Sequence, residues 1–220
     1  MTIVTIDGHL SAGAADIGQR VADQLGCDFY DRLLVVGASR RSGTRLRDFL
    51  ELRRKRPGMS RRIMRLLPID PWRPRLARIE SQKLYRALSE YILEVARSGD
   101  AVLVHRAAGV ELRGRPDVLR VGIFAPWDYR VRKLMRTGGF HTLAEASAEL
   151  AERERAQVAY FAAHYGEHPH DRSLYDMELT NSPIGHPAHV YDNLARQVAR
   201  AAQRLTTRTA TAALAEKVPV

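Results

Sequence analysis

Ile3-Val4-Thr5-Ile6-Asp7-Gly8-His9-Leu10-Ser11-Ala12-Gly13 is the stretch from which the fold is read. Its first residues form a short β-branched run without sustained polar alternation, the pattern of a strand covered on both faces. A glycine-bearing turn follows, and beyond it Ile17, Val21 and Leu25 recur every fourth residue, with Gly26 where a helix C-cap glycine belongs. Strand, turn and helix in this order open an α/β nucleotide-binding fold. The turn is therefore expected after a central parallel strand. Asp28-Phe29-Tyr30-Asp31 reads as a short extended link.

Further along, Leu84, Leu88, Tyr91, Ile92 and Val95 fall on one helical face between Leu76 and Ala96. Gly99-Asp100 closes that helix before a strand at Ala101-Val102-Leu103-Val104. A second strand is predicted from Val118 to Ala125, a helix from Trp127 to Arg136 behind Pro126, and a break at Gly138-Gly139. Thr142 to His164 reads as a long, charge-rich helix, Tyr175 to Thr180 as a strand, and Ala188 to Leu205 as a helix. Strands separated by helices predict a parallel central sheet in a three-layer α/β/α arrangement.

Composition narrows the class. A chain of 220 residues suits one domain, expected over residues 1–205, with 206–220 as a flexible tail. No stretch approaches the roughly 18 unbroken apolar residues of a membrane span, and Met1 to Asp7 shows no secretory leader, so a cytoplasmic address is expected. Cys27 is the sole cysteine, which excludes an internal disulfide and a thiolate zinc cluster within the chain and leaves it a core-filling role. The net charge of +10 is uneven: residues 40–78 carry +11 and the remainder −1.

Gly8 and Gly13 have the spacing of a phosphate-binding loop, in which backbone N–H groups surround an anion at the start of a helix. The cradle would be His9, Leu10, Ser11 and Ala12 between the glycines, with Ala14, Ala15 and Asp16 on the helix. Where that motif has a lysine this chain has Ala14, and where it has a magnesium-holding hydroxyl it has Ala15, then Asp16. Backbone cradling survives these changes, whereas the side-chain charge is lost. A structural role for Asp16 is stabilising the helix N-terminus.

Four segments resemble the cytidylate kinase-like family: Thr5-Ile6-Asp7-Gly8 with Ser11-Ala12-Gly13; Phe29-Tyr30-Asp31-Arg32; Val104-His105-Arg106-Ala107; and Arg115 to Val121 running into Ala125 to Val131. Tyr175-Asp176 with Asn181 looks like that family's last strand. The resemblance implies a P-loop kinase-type fold with an acceptor lobe at residues 40–78 and a lid-like region at 138–172. It implies ATP and Mg2+ as cofactors and a nucleoside monophosphate as acceptor. Catalytic arginines on phosphate would then be Arg106, Arg130, Arg153 and Arg155, with Arg132 weaker. Asp31, Arg32 and Arg106 would lie at the acceptor site. A planar guanidinium suits the role because it binds two phosphate oxygens at once. Ala14, Ala15 and His105 depart from the family pattern.

Two functions follow as expectations. The first is a nucleotide-binding protein that, if active, moves the ATP γ-phosphoryl to CMP or a related monophosphate. The alternative is a catalytically impaired nucleotide-sensing or polyanion-binding module, since residues 40–78 could follow a nucleic-acid backbone. That segment's bland reading is a solvated or oligomer-contacting face. His164, His168 and His170 beside Glu167 and Asp171 match no zinc spacing and read as a polar loop, so no metal site is expected.

Overall fold

The computed structural model describes residues 2–43, 73–181 and 187–215. In chain order its elements are β1 (Ile3–Gly8), α1 (Ala14–Leu25), β2 (Asp28–Tyr30), α2 (Arg32–Ser42), α3 (Arg73–Ser98), β3 (Ala101–Val104) and α4 (Ala108–Glu111). They continue with β4 (Val118–Phe124), α5 (Trp127–Gly138), α6 (Leu143–Tyr165), a 3-10 turn at Arg172–Leu174, β5 (Met177–Thr180) and α7 (Pro187–Ala215). The strands form one sheet in the order β2-β3-β1-β4-β5, every pair parallel.

β1 is central and buried at all six positions. Ile3 to Ile6 register with Ala101 to Val104 on one side and with Val118 to Val121 on the other. This is why the first run lacks alternation: helices cover both faces, so no position on the strand faces water. One layer is α1 with α7. Ile17, Val21 and Ala22 of the first and Leu194, Ala195 and Val198 of the second pack with Val4, Ile6, Val102, Val121 and Ile123 of the sheet. Burying each such large side chain contributes about 1.5–3 kcal/mol. Two smaller clusters hold the rest: Val131 and Leu134 of α5 against Ala146 and Leu150 of α6, and Phe161 of α6 against Ala107 and Leu174. Thr142 and Glu145 form a capping box that starts α6.

The chain divides into two compact units, one of Met1–Asp31 with Val95–Val220 and one of Arg32–Glu94. Within the second, Leu34, Ala38, Ala87, Leu88 and Ile92 are buried. Gly37 lets α2 approach the ring of Tyr91, since a Cβ there would lie 2.2 Å from Tyr91 Cζ.

The α/β/α reading and the parallel sheet are observed. The link at Asp28 is the edge strand β2, and α7 runs ten residues beyond the Leu205 at which its sequence pattern ended, to Ala215. Cys27 packs half-buried beside the main core, and burial pushes its thiol up to about 11. Most of the basic segment 40–78 lies outside the described residues. No helix among the described residues is long and apolar enough to cross a membrane.

Candidate functional site

The carboxyl ends of β1, β3 and β4 converge on the Gly8–Gly13 turn, the position at which parallel α/β sheets hold ligands. Gly8 has φ 108°, and a Cβ there would stand 2.4 Å from the carbonyl oxygen of Ile123. Only glycine lets the turn leave β1 this close to β4. His9 N–H donates to that same Ile123 oxygen at 2.9 Å, and Ala12 N–H closes the turn onto His9 at 3.2 Å. Gly13, at φ 102°, is the N-cap of α1 and provides no side-chain cap. Within the described residues, the N–H groups of Ala14, Ala15 and Asp16 accordingly have no acceptor. Three donors pointing out of a helix start are a ready anion cradle.

Two sets of side chains hold this turn. On one flank Asn181, buried at the end of β5, donates from Nδ2 to Ala12 O at 2.6 Å and to Tyr129 Oη at 3.0 Å. Tyr129 Oη meets Tyr191 Oη at 2.9 Å, and Lys133 Nζ donates to Tyr191 Oη at 2.8 Å while pairing with Asp16. On another flank Arg130, 5% exposed, donates from Nε to Ala125 O at 3.1 Å and from a terminal nitrogen to Leu10 O at 3.4 Å. It also pairs with Glu154 and lies over the Trp127 ring. His9 folds back onto β4: its Nδ1 lies 3.1 Å from Ala125 O, and its ring meets Phe124 and His170 edge-on. Burial, then the Arg130 charge, lowers the His9 pKa.

At the end of β1, directly before the loop, lies Asp7, 6% exposed. Its Oδ1 accepts from Gly8 N–H at 3.1 Å and from Gln157 Nε2 at 3.3 Å, and its Oδ2 accepts from Ala107 N–H at 3.1 Å. The neighbouring β3 is followed by His105, Arg106 and Ala107, three consecutive non-glycine residues with φ of 68°, 66° and 57°. Arg106 forms no hydrogen bond or ion pair among the described residues. Burial lowers its pKa, against the raising influences of Tyr160, Asp31 and Asp7. A guanidinium does not lose its proton in a protein, so this is a part-buried cation without a bonded anion among the described residues.

Residues 3–183 match the profile of the cytidylate kinase-like family. The chain belongs to that family. It is 35% identical over 80 residues to a cytidylate kinase of Methanosarcina acetivorans, covering 36% of this chain and 44% of that protein. It is 31% identical over 97 residues to a cytidylate kinase of Methanopyrus kandleri, covering 40% and 50%. The chain thus spans about half the length of the curated relatives it matches. Among solved structures, an uncharacterized protein from Eubacterium ventriosum superposes with a TM-score of 0.65 at 13% identity, over 92% of this chain and 98% of that one. The shikimate kinase of Bacteroides thetaiotaomicron superposes with a TM-score of 0.54 at 10% identity, over the same shares. At such identities the likeness is one of fold, that of a P-loop kinase.

Within this cytidylate kinase-like fold, the loop Gly8 to Asp16 and Arg106 come together. Asp31, at the end of β2, contributes charge to Arg106 through space. Three of the other arginines have partners of their own. Arg153 pairs with Glu149 and Arg155 with Glu152 along α6, Arg130 serves the loop and Glu154, and Arg132 is exposed. Arg32 opens α2 in the second unit. Ala14 does more than lack a charge, because its methyl group is 3% exposed and belongs to the main core. No group of three His, Cys, Asp or Glu among the described residues could hold a metal, and the histidines near His170 stack on one another instead. Asp7, Gln157, Lys133 and Glu154 received no role from the sequence. Asp7 had a local signal, its place just before the first loop glycine, while the other three are brought in from distant helices.

Proposed function

We propose that this cytidylate kinase-like chain binds a nucleoside triphosphate through its phosphates and transfers the γ-phosphoryl slowly, to CMP or a related nucleoside monophosphate. The observation that carries the reading is Arg106, a part-buried guanidinium unbonded among the described residues at the carboxyl end of β3, beside the loop. A cation left in that state is matched by an anion that arrives with a ligand. The loop supports the same assignment, since the free N–H groups of Ala14, Ala15 and Asp16 suit a phosphate oxygen.

ATP with magnesium is the donor that family membership implies, and it would supply the phosphoryl group and part of the charge neutralisation. The residues present fit its phosphates better than its metal, because Ala15 offers no hydroxyl. What this chain adds is orientation by the backbone and positive charge from Arg106. Without a loop lysine, less charge meets the developing transition state than the ground state warrants, so binding should outlast turnover.

The test pairs ATP titration with steady-state CMP phosphorylation. Micromolar to millimolar ATP binding with turnover well below the common range of about 1–1000 per second is expected. Arg106→Ala should weaken ATP binding about tenfold or more, on the scale of one lost charge-assisted contact. Turnover within that common range in the wild type would overturn the impaired-transfer reading. Absence of ATP binding would favour a second reading carried by the +11 charge of residues 40–78, a salt-sensitive attraction to RNA, DNA or heparin.

A further inference from the structure

The turn after β3 has a conformation that its own residues do not favour. His105, Arg106 and Ala107 all occupy the left-handed region, where a Cβ crowds the backbone, and none of the three is glycine. Such a run persists only where surrounding structure enforces it. Local bonds contribute: His105 N–H donates to Ile6 O at 2.8 Å, and Ala108 N–H reaches His105 O at 3.4 Å. Among the described residues, the one side chain that reaches the backbone of the turn is Asp7, whose Oδ2 takes Ala107 N–H at 3.1 Å. Its other oxygen takes Gly8 N–H and Gln157 Nε2, so one buried carboxylate joins the start of the loop, the end of β3 and α6.

We infer that Asp7 is a positioning residue, which holds the His105-Arg106-Ala107 turn left-handed and so aims the Arg106 guanidinium at the ligand on the loop. The role of Arg106 rests on the phosphate-binding reading above, whereas the grip of Asp7 on the turn stands on the geometry alone. Three N–H donors need both carboxylate oxygens as acceptors. Asp7→Ala removes both oxygens, so Ala107 N–H and Gly8 N–H lose their acceptor, while Gln157 Nε2 keeps Gly8 O at 3.2 Å. The turn is then free to relax toward right-handed or extended backbone, and Arg106 swings away.

Two measurements separate this from a merely structural role. The first needs no nucleotide: the rate at which phenylglyoxal modifies Arg106, read by peptide mass spectrometry. Asp7→Ala should raise that rate about fivefold or more, and adding Ala107→Gly should restore the wild-type rate, because glycine adopts the left-handed conformation without help. The second is a double-mutant cycle on ATP affinity. Asp7→Ala should weaken ATP binding about tenfold in the wild type and cause no further loss in an Arg106→Ala background. If Asp7→Ala alone fails to fold, the Asp7→Ala/Ala107→Gly pair carries the labelling test against Ala107→Gly, with equal Arg106 rates expected. Unchanged Arg106 labelling in Asp7→Ala, unequal rates in that last comparison, or a full Asp7→Ala penalty on top of Arg106→Ala would overturn the assignment. If the wild type binds no ATP, the nucleotide reading fails, and the labelling rates still decide what Asp7 does.

Discussion

The side-chain amide of Asn181 donates to the carbonyl oxygen of Ala12 at 2.6 Å, across 169 positions of sequence. Asn181 is 1% exposed, and its backbone N–H is held by Phe124 O at 2.7 Å, so the end of the sheet is bonded directly to the loop. Asn181→Leu removes the donor while filling the space, leaving Ala12 O and Tyr129 Oη without it. A loss of about 1–3 kcal/mol in unfolding free energy is expected, measured by urea denaturation. A change below about 0.5 kcal/mol would show that the contact does not secure the loop.

Gly8 faces a harder limit. With φ 108° and an Ile123 oxygen 2.4 Å from where its Cβ would stand, Gly8→Ala must move β4 or distort the turn. Left-handed strain and the clash together should cost roughly 2–4 kcal/mol. Gly26→Ala also meets a positive φ, of 65°, but nothing lies within 4 Å. It should cost about 1 kcal/mol, and equal melting temperatures for the two variants would sink this reading.

Lys133 pairs with Asp16, which places a carboxylate beside the free N–H groups of α1 and a cation against that carboxylate. Phosphate arriving at the helix start would be repelled by Asp16 and attracted by Lys133. Lys133→Met should therefore weaken ATP binding by about threefold to tenfold, and Asp16→Asn should strengthen it by a similar factor. Asp16→Asn should also lower stability by about 0.3–1 kcal/mol, because a negative charge favours the first turn of a helix. Calorimetric titration beside thermal unfolding checks both signs, and a shift in the same direction for the two variants would contradict them.

His170 provides a pH dependence. Burial, then His9, lowers its pKa to about 4, with Glu154 pulling upward and His168 and Arg130 downward. Its ring meets that of His9 at 4.5 Å, and its Nε2 is 3.8 Å from Glu154 Oε1. The unfolded chain takes up this proton near 6.5, whereas the folded chain resists until about 4. Between these values the unfolded state binds more protons, so stability rises with pH across the window and is lost as pH falls through it. The pKa of His9 is lowered in the same direction. Melting temperature should decline from pH 6.5 to 4, and His170→Gln should flatten part of that decline. An identical slope in the variant would rule His170 out as its source.

The strand-loop-helix opening, the parallel sheet and the loop glycines were legible in the sequence because each is a local matter. Two faces covered by helices leave a continuous apolar run, a helix repeats its apolar face every three or four residues, and a sharp departure from a strand needs glycine. Arg106 was singled out through the family resemblance, and its place after β3 was legible from the predicted strand. The sequence could not assign partners to the other arginines. Whether Arg130 meets a phosphate or Leu10 O and Glu154 depends on how α5 packs against α6, and no periodicity encodes that.

What the sequence determined by itself is the class of fold and the absence of a lysine at position 14. Tertiary structure decided what stands around that gap: the Ala14 methyl in the core, Lys133 against Asp16, and Asp7 bonded to Ala107 one hundred positions away. The physical reason is the strand order. Placing β1 between β3 and β4 brings together chain segments that have no sequence proximity, and hydrogen bonds act only over the roughly 3 Å that this arrangement creates.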